Sequence, residues 1–272
     1  MEIIVLASGS KGNATYIRTK NNNILLDAGI SYLQIKNRLL SKGFLLDKLD
    51  AILITHEHTD HIKYLISIAM KTKAKIYLSE EVYKILNVRL NGGLNDLPVY
   101  FIKENNRYDF NDLFVVPMKL SHDASCCFGY LFKEKGPGNK TYGYITDTGY
   151  IPEEYLSIIA NLQVISIESN HDVQMLKESK RTWPLIQRIL SNNGHLSNSQ
   201  CSNYLKGLNY QYVRVVILSH LSEECNLESL AYSEVVKVFD GQIPCQIQIA
   251  KQYEALPIIE VCLLYTSPSP RD

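Results

Sequence analysis

Three histidines and an aspartate stand within six consecutive positions, in His56-Glu57-His58-Thr59-Asp60-His61, directly after the apolar run Ala51-Ile52-Leu53-Ile54. Imidazole and carboxylate together are ligands for zinc, iron or manganese. A strand running into the loop would fix its entry. His56 and His58, two apart in extended chain, then point one way, while Asp60 and His61 turn toward a neighbouring position. One loop can therefore feed two adjacent metals. A chance surface cluster of histidines weighs little against ligand spacing this dense. A helical HExxH zinc site is excluded, because the second histidine comes too soon.

Other ligand-type residues recur where strand-like runs end. His122 follows Val115-Val116-Pro117-Met118-Lys119-Leu120, and His220 follows Val215-Val216-Ile217-Leu218-Ser219. Asp147 follows Tyr144-Ile145-Thr146, and Asp27 follows Ile24-Leu25-Leu26. A single histidine so placed is more often a packing residue. Four separate strand ends carrying such groups are what a site on one rim of a sheet requires.

The elements that must position these residues alternate along the chain. Short strands at Ile3–Leu6, Ala14–Arg18 and Asn23–Leu26 suggest an antiparallel meander. Helical periodicity follows over 31–42 with Gly43 as a stop, then the strand at 51–54, the histidine loop, and a helix through Ile62–Met70. Leu113–Leu120 reads as a strand, as do 127–132, 140–146, Val164–Ile167, Tyr212–Leu218 and 245–249. Helices are expected from Pro152, near 183–191, 197–206 and 227–237. Without an internal repeat or linker, this is one domain of mixed sheets with helices outside, spanning 1–261. The last residues, 262–272 (CLLYTSPSPRD), change character and read as a disordered or artefactual tail, similar to a translated vector scar.

Composition narrows the classes. The chain has 272 residues and equal numbers of acidic and basic side chains, so no overall basic field advertises nucleic acid. Bound divalent metals would supply local positive charge that such counting misses. No apolar run approaches the roughly 20 residues that span a membrane. The six cysteines form no CxxC pair, and the start of the chain lacks a basic leader, which together suit a reducing cytoplasm.

HxHxDH, with Asp27 before it in Leu-Leu-Asp-Ala-Gly and His122, Asp147 in Thr-Asp-Thr-Gly and His220 after it, resembles the five-motif signature of the metallo-β-lactamase superfamily. The resemblance implies an α+β fold, an αββα sandwich of two mixed sheets packed face to face with helices outside. It implies that His56, His58 and His122 bind one divalent metal, that Asp60, His61 and His220 bind a second, and that Asp147 bridges both. Asp27 would orient the histidine loop. The metals would be manganese or zinc, with iron also compatible.

Chemistry within the superfamily varies, and further residues discriminate. Asp147 stands where common lactamases often carry Cys, and an unbroken HxHxDH disfavours the oxygen-reducing diiron branch. His195 in Gly-His-Leu-Ser-Asn and Glu168 in Ile-Glu-Ser-Asn-His-Asp are similar to a pair in tRNA 3′-processing nucleases, where the histidine protonates the leaving oxygen and the glutamate orients it. A departing alkoxide needs that acid, whereas a thiolate does not. His195 read simply as a residue at a helix start, with Ser197 as its cap, is the plainer alternative.

Closer still, Ala7-Ser8-Gly9-Ser10-Lys11-Gly12-Asn13, Glu168–Asp172, Gly194–Asn198 and Ser219–Ser222 resemble the bacterial YycJ/WalJ family. That resemblance implies a cytoplasmic 5′→3′ exonuclease on double-stranded DNA, RNA remaining a second possibility, with no membrane and no obligate protein partner. A hydroxide between the metals, oriented by Asp60, would attack phosphorus, with His195 as acid. Ser10, Lys11 and Asn13 are candidate phosphate contacts, or equally a plain turn, and His171 is a candidate substrate contact. Cys225 departs from the family pattern and reads as a neutral change. The basic residues Lys177, Lys180, Arg181 and Arg188 read first as solvated surface. The competing function is a glyoxalase II-like thioesterase or lactone hydrolase on the same metals.

Overall fold

The computed structural model describes residues 1–46, 48–138 and 140–261. The tail at 262–272 lies outside the described residues, as does Asn139 in the turn before the strand expected from 140.

Strands β1 (Glu2–Ala7), β2 (Ala14–Arg18), β3 (Asn23–Leu26), β4 (Ala51–Leu53), β5 (Lys75–Leu78) and β6 (Val99–Phe101) lie side by side in sequence order. The second sheet holds β7 (Tyr108–Phe110), β8 (Leu113–Leu120), β9 (Cys127–Glu134), β10 (Thr141–Ile145), β11 (Val164–Glu168), β12 (Val215–Ser219) and β13 (Gln246–Ile249). The chain then returns to the first sheet as β14 (Ile259–Glu260) beside β1. Each sheet changes from antiparallel to parallel pairing at its middle strand, β3 in one and β10 in the other.

Side-chain alternation along the second sheet shows why it is buried on both faces. Tyr130, Phe132, Tyr142, Tyr144, Val164 and Ile217 enter a core shared with Ile3, Ile17, Leu25 and Ile52 of the first sheet. Their neighbours Ile145, Ile165, Ile167, Val216 and Leu218 point the other way, against Tyr155, Ile159, Leu205 and Val235 of the outer helices. On the far side of the first sheet, the helices Tyr32–Leu40, Leu65–Thr72 and Glu80–Arg89 bury Ile35, Leu39, Leu65, Ile68, Val82 and Leu86. The layers therefore run helix, sheet, sheet, helix, the αββα sandwich.

Three local departures from the sequence reading have backbone causes. The helix expected through Ile62–Met70 is two pieces, Thr59–Ile62 and Leu65–Thr72. The Tyr64 N–H donates to the Ala28 carbonyl at 2.9 Å, and the Ala28 N–H donates to the His61 carbonyl at 2.6 Å. Those two bonds tie the histidine loop to the Asp27 turn at the cost of one helical turn. The strand expected from Tyr212 starts at Val215, because Tyr212 and Val213 donate to the Asn209 carbonyl in a turn. A helix at Val173–Glu178 arises after Asp172, whose Oδ1 accepts from the Met175 N–H at 2.9 Å.

The hydroxyl of Tyr130, fully buried between the sheets, donates to the Ile54 carbonyl at 2.6 Å just ahead of the histidine loop. Tyr130→Phe leaves that carbonyl without this donor. The expected cost is about 1–3 kcal/mol in urea unfolding with an unchanged m-value. A variant as stable as the parent would show that the bond does not anchor the loop.

Candidate metal centre

The ionisable residues singled out above leave the carboxyl ends of strands in both sheets. Asp27 follows β3, His56 to His61 follow β4, His122 follows β8, Asp147 follows β10, Glu168 ends β11 and His220 follows β12. Asp27, Asp147 and His220 adopt left-handed backbone, with φ of 62°, 61° and 57°. Such values are uncommon outside glycine and cluster at functional sites. Here the reversal turns each side chain back over the rim.

The rim side chains converge into overlapping groups whose donor atoms lie within 4.8 Å of one another. One group is His56, His58 and His122, and another is Asp60, His61 and His220. Asp147 joins His56 and His61, one from each triad, and also Glu168, His195 and His220. The donor set fits metal ions on a second ground. His56 Nε2, Asp147 Oδ2 and His220 Nε2 are buried without a hydrogen-bond partner among the described residues. Buried polar atoms are ordinarily paired, so orphans converging in this way suit a pair of divalent cations.

His56, His61, His122 and His220 are each aimed by a bond on the other nitrogen, the arrangement expected around metal ligands. His61 Nδ1 donates to Asp27 Oδ2 at 2.7 Å. The other oxygen of Asp27 accepts from the Thr55 N–H at 2.9 Å, and Thr55 Oγ1 lies 3.0 Å from His56 Nδ1. His122 Nδ1 donates to the Gly194 carbonyl at 3.1 Å. Glu168 Oε1 takes both His220 Nδ1 at 2.9 Å and His195 Nδ1 at 2.7 Å, while its Oε2 accepts from the N–H groups of Thr148 and Leu196.

Charge follows the same division. Burial, with His61, His122 and His58 nearby, drives the His56 pKa well below its usual value, and burial brings His122 down to about 4. These are the neutral imidazoles a metal needs. Burial opposes charge on His220 too, yet Asp147, Asp60 and Glu168 bring it up to about 10. Burial also works against a proton on His61, and Asp60, Asp147 and Asp27 hold it there. Protons on those two rings stand where a cation would balance the same carboxylates. Although burial pushes Asp60 and Glu168 upward, their histidine neighbours hold both below the usual carboxylate range. The cluster is open at one edge, where His58 is 32% and His195 21% exposed at the side chain.

The outlying candidates sort differently. Asn13 is fully buried and does not face solvent as a phosphate contact would. Its Nδ2 reaches Asp60 Oδ2 at 3.1 Å and His61 Nε2 at 3.0 Å. Lys11 is exposed but pairs with Glu223 at 2.6 Å and Tyr253 Oη at 2.7 Å. His171 is 1% exposed, with neither ring nitrogen bonded among the described residues, and burial takes its pKa to about 4. Cys225 lies in a small apolar cluster with Leu176, Ile186 and Ile189, outside every donor group. Ser10, by contrast, lines a cavity beside His195, together with Arg181 and Arg188. Sequence reasoning missed Thr55 and the Gly194 carbonyl. Only Thr55 had a signal, its place between β4 and the first histidine.

Comparison with known proteins agrees with this geometry. Residues 22–221 match the beta-lactamase superfamily domain. The chain belongs to the metallo-β-lactamase superfamily. Within it, the chain is 34% identical over 233 residues to the exodeoxyribonuclease WalJ of Streptococcus pneumoniae, covering 85% of this chain and 86% of that one. It is 31% identical over 236 residues to the exodeoxyribonuclease YycJ of Bacillus anthracis, covering 87% and 88%. This is therefore a YycJ/WalJ-type member of the superfamily and a metal-dependent hydrolase. Its fold is shared with the metallo-β-lactamase fold protein YhfI of Bacillus subtilis, at a TM-score of 0.69 and 15% identity over 94% of this chain and 98% of that one.

Gly29, in the superfamily's Asp-Ala-Gly segment, shows how tightly the loop is held. A Cβ there would lie 1.7 Å from the Asp60 carbonyl oxygen and 2.4 Å from the Asn13 nitrogen. Both contacts are backbone, so neither can swing aside. Gly29→Ala is expected to cost about 1–3 kcal/mol or more in chemical denaturation. Stability equal to the parent would mean that the HxHxDH loop is free to shift.

Proposed function

We propose that the protein is a two-metal phosphodiesterase that removes nucleotides from the 5′ end of double-stranded DNA. The observation that carries this reading is His195, held through Nδ1 by the buried Glu168 and exposed at the open edge of the donor cluster. Its Nε2 is left to give a proton to a leaving group. A 3′ alkoxide needs that proton and the thiolate of a thioester does not, so the pair favours phosphodiester over thioester hydrolysis. The names of the WalJ and YycJ relatives support nucleic acid, and DNA in particular, as substrate.

In this reading His56, His58 and His122 would hold one divalent ion and Asp60, His61 and His220 the other, with Asp147 grouped with members of both sets. When bound, such ions would lower the pKa of a coordinated water and screen the phosphate's charge. Manganese or zinc suits the mixed imidazole and carboxylate set. Asp60, steadied by Asn13, orients the attacking water in line with the scissile bond. His195 transfers its Nε2 proton to the departing 3′ oxygen, leaving a 5′-phosphate on the shortened strand. Asp27 and Thr55 keep His61 and His56 aimed throughout. Five described cysteines are free thiols, which accords with a cytoplasmic setting.

The test uses 5′-labelled linear duplex DNA with manganese. The parent is expected to release labelled mononucleotides, and Asp147→Ala to release none. A metal-loaded but inert parent would overturn the DNA reading.

A second comparison isolates the acid. His195→Ala is expected to lower kcat on DNA by about 10²–10⁴-fold. It should lose far less on bis(4-nitrophenyl) phosphate, whose phenolate departs unprotonated. Equal losses on both substrates would remove His195 from the proton transfer.

A further inference from the structure

We propose that the cavity beside His195 is a subsite for the terminal 5′-phosphate of the strand being cut, so that it sets the product length at one nucleotide. This inference rests on the nuclease reading for its polarity and on the cavity itself for its chemistry.

The cavity is about 140 Å³ in volume and bordered by His195, Arg181, Arg188, Ser10 and Ser222, with the Asp123 carboxylate also in its wall, engaged by Arg188. Its two arginines come from one basic stretch that the donor cluster does not use. Arg181 gives Nε and Nη2 to Glu224 Oε2 at 3.2 and 3.1 Å, and Arg188 gives Nη2 to Asp123. A guanidinium carries five N–H donors in a planar fork, so Arg181 Nη1 and Arg188 Nη1 and Nε remain for a ligand. Glu224 is 73% exposed at the side chain, an acid that can swing into solvent when an anion takes its place. Ser222 Oγ accepts from the Cys225 N–H at 3.2 Å, which leaves its own hydroxyl proton to donate. Convergent arginine forks with hydroxyl donors recognise phosphate oxygens. Among the described residues no Phe, Tyr or Trp borders the cavity.

Position supplies the polarity. If His195 protonates the departing 3′ oxygen, the nucleoside bearing that oxygen lies on the His195 side of the metals. Its own 5′-phosphate, one sugar further on, then reaches the cavity that His195 borders. A strand whose terminal phosphate is seated there presents its first internal phosphodiester to the metals. Lys177 and Lys180 of the same stretch are exposed and do not border the cavity, which is why only the two arginines are assigned.

Two measurements test the subsite. The parent should cut 5′-phosphorylated duplex with a kcat/KM about tenfold to a hundredfold above that for the 5′-hydroxyl duplex. In the double variant Arg181→Ala, Arg188→Ala that ratio should fall toward one. Because the ratio is read within each protein, a general loss of activity does not mimic the effect. Separately, thymidine 5′-monophosphate should raise the melting temperature of the parent but not of the double variant, while thymidine raises neither. Equal rates on the two DNA ends by the parent would overturn the subsite and leave the nuclease reading intact. Nucleotide binding that depends on the arginines, in a protein that cuts neither DNA, would keep the subsite and overturn the nuclease reading. Binding undiminished in the double variant would overturn the subsite.

Discussion

Asp27 and Glu168 have no solvent contact, and each accepts a hydrogen bond from a histidine of the donor cluster. Burying an ionised carboxylate costs several kcal/mol unless its oxygens are satisfied. Both meet that condition with backbone N–H donors as well as imidazoles. The consequence runs outward: with Nδ1 of His61 and His220 committed, Nε2 of each must face the middle of the site. Asp27 controls the loop after β4 and Glu168 the groups after β12 and before the helix Asn198–Lys206. One carboxylate thus serves each sheet, and the site forms only where the two rims meet.

That dependence explains the fold's tolerance of strain. Three rim residues hold left-handed backbone, and a helix is broken at Tyr64 so that Ala28 can bond on both sides. Each local departure lies within a few residues of a donor group. The surrounding core is conventional, with strand residues alternating between two apolar clusters. Rigid strands supply the precision and the irregular rim supplies the chemistry.

Much of this was legible in the chain because strand period and ligand type coincide. An apolar run ending in His122, Asp147 or His220 shows the element and a ligand-type residue at its end, and the HxHxDH spacing is dense in such residues. Many of the strands and helical spans around them followed from periodicity, the helix Val173–Glu178 excepted. What escaped depends on contacts between distant segments. Asn13 read equally as a phosphate contact or a turn residue, yet the return of β2 against the Asp60 loop buries it. The Gly194 carbonyl has no side-chain signature at all. Glu168 was expected to serve His195, but its second bond, to His220, is set by the parallel register of β11 and β12. Arg181 and Arg188 read as surface charge because composition cannot say that a cavity opens between them.

The claim on which the rest stands is that the orphaned nitrogens and oxygen on the rim exist to hold two ions. Titrating the metal-stripped protein with manganese or zinc, while following bound metal per chain and the unfolding temperature, tests it most directly. Two ions per chain are expected, with stability climbing as free metal rises beyond the dissociation constant. A stoichiometry below two, or a melting temperature indifferent to metal, would contradict it.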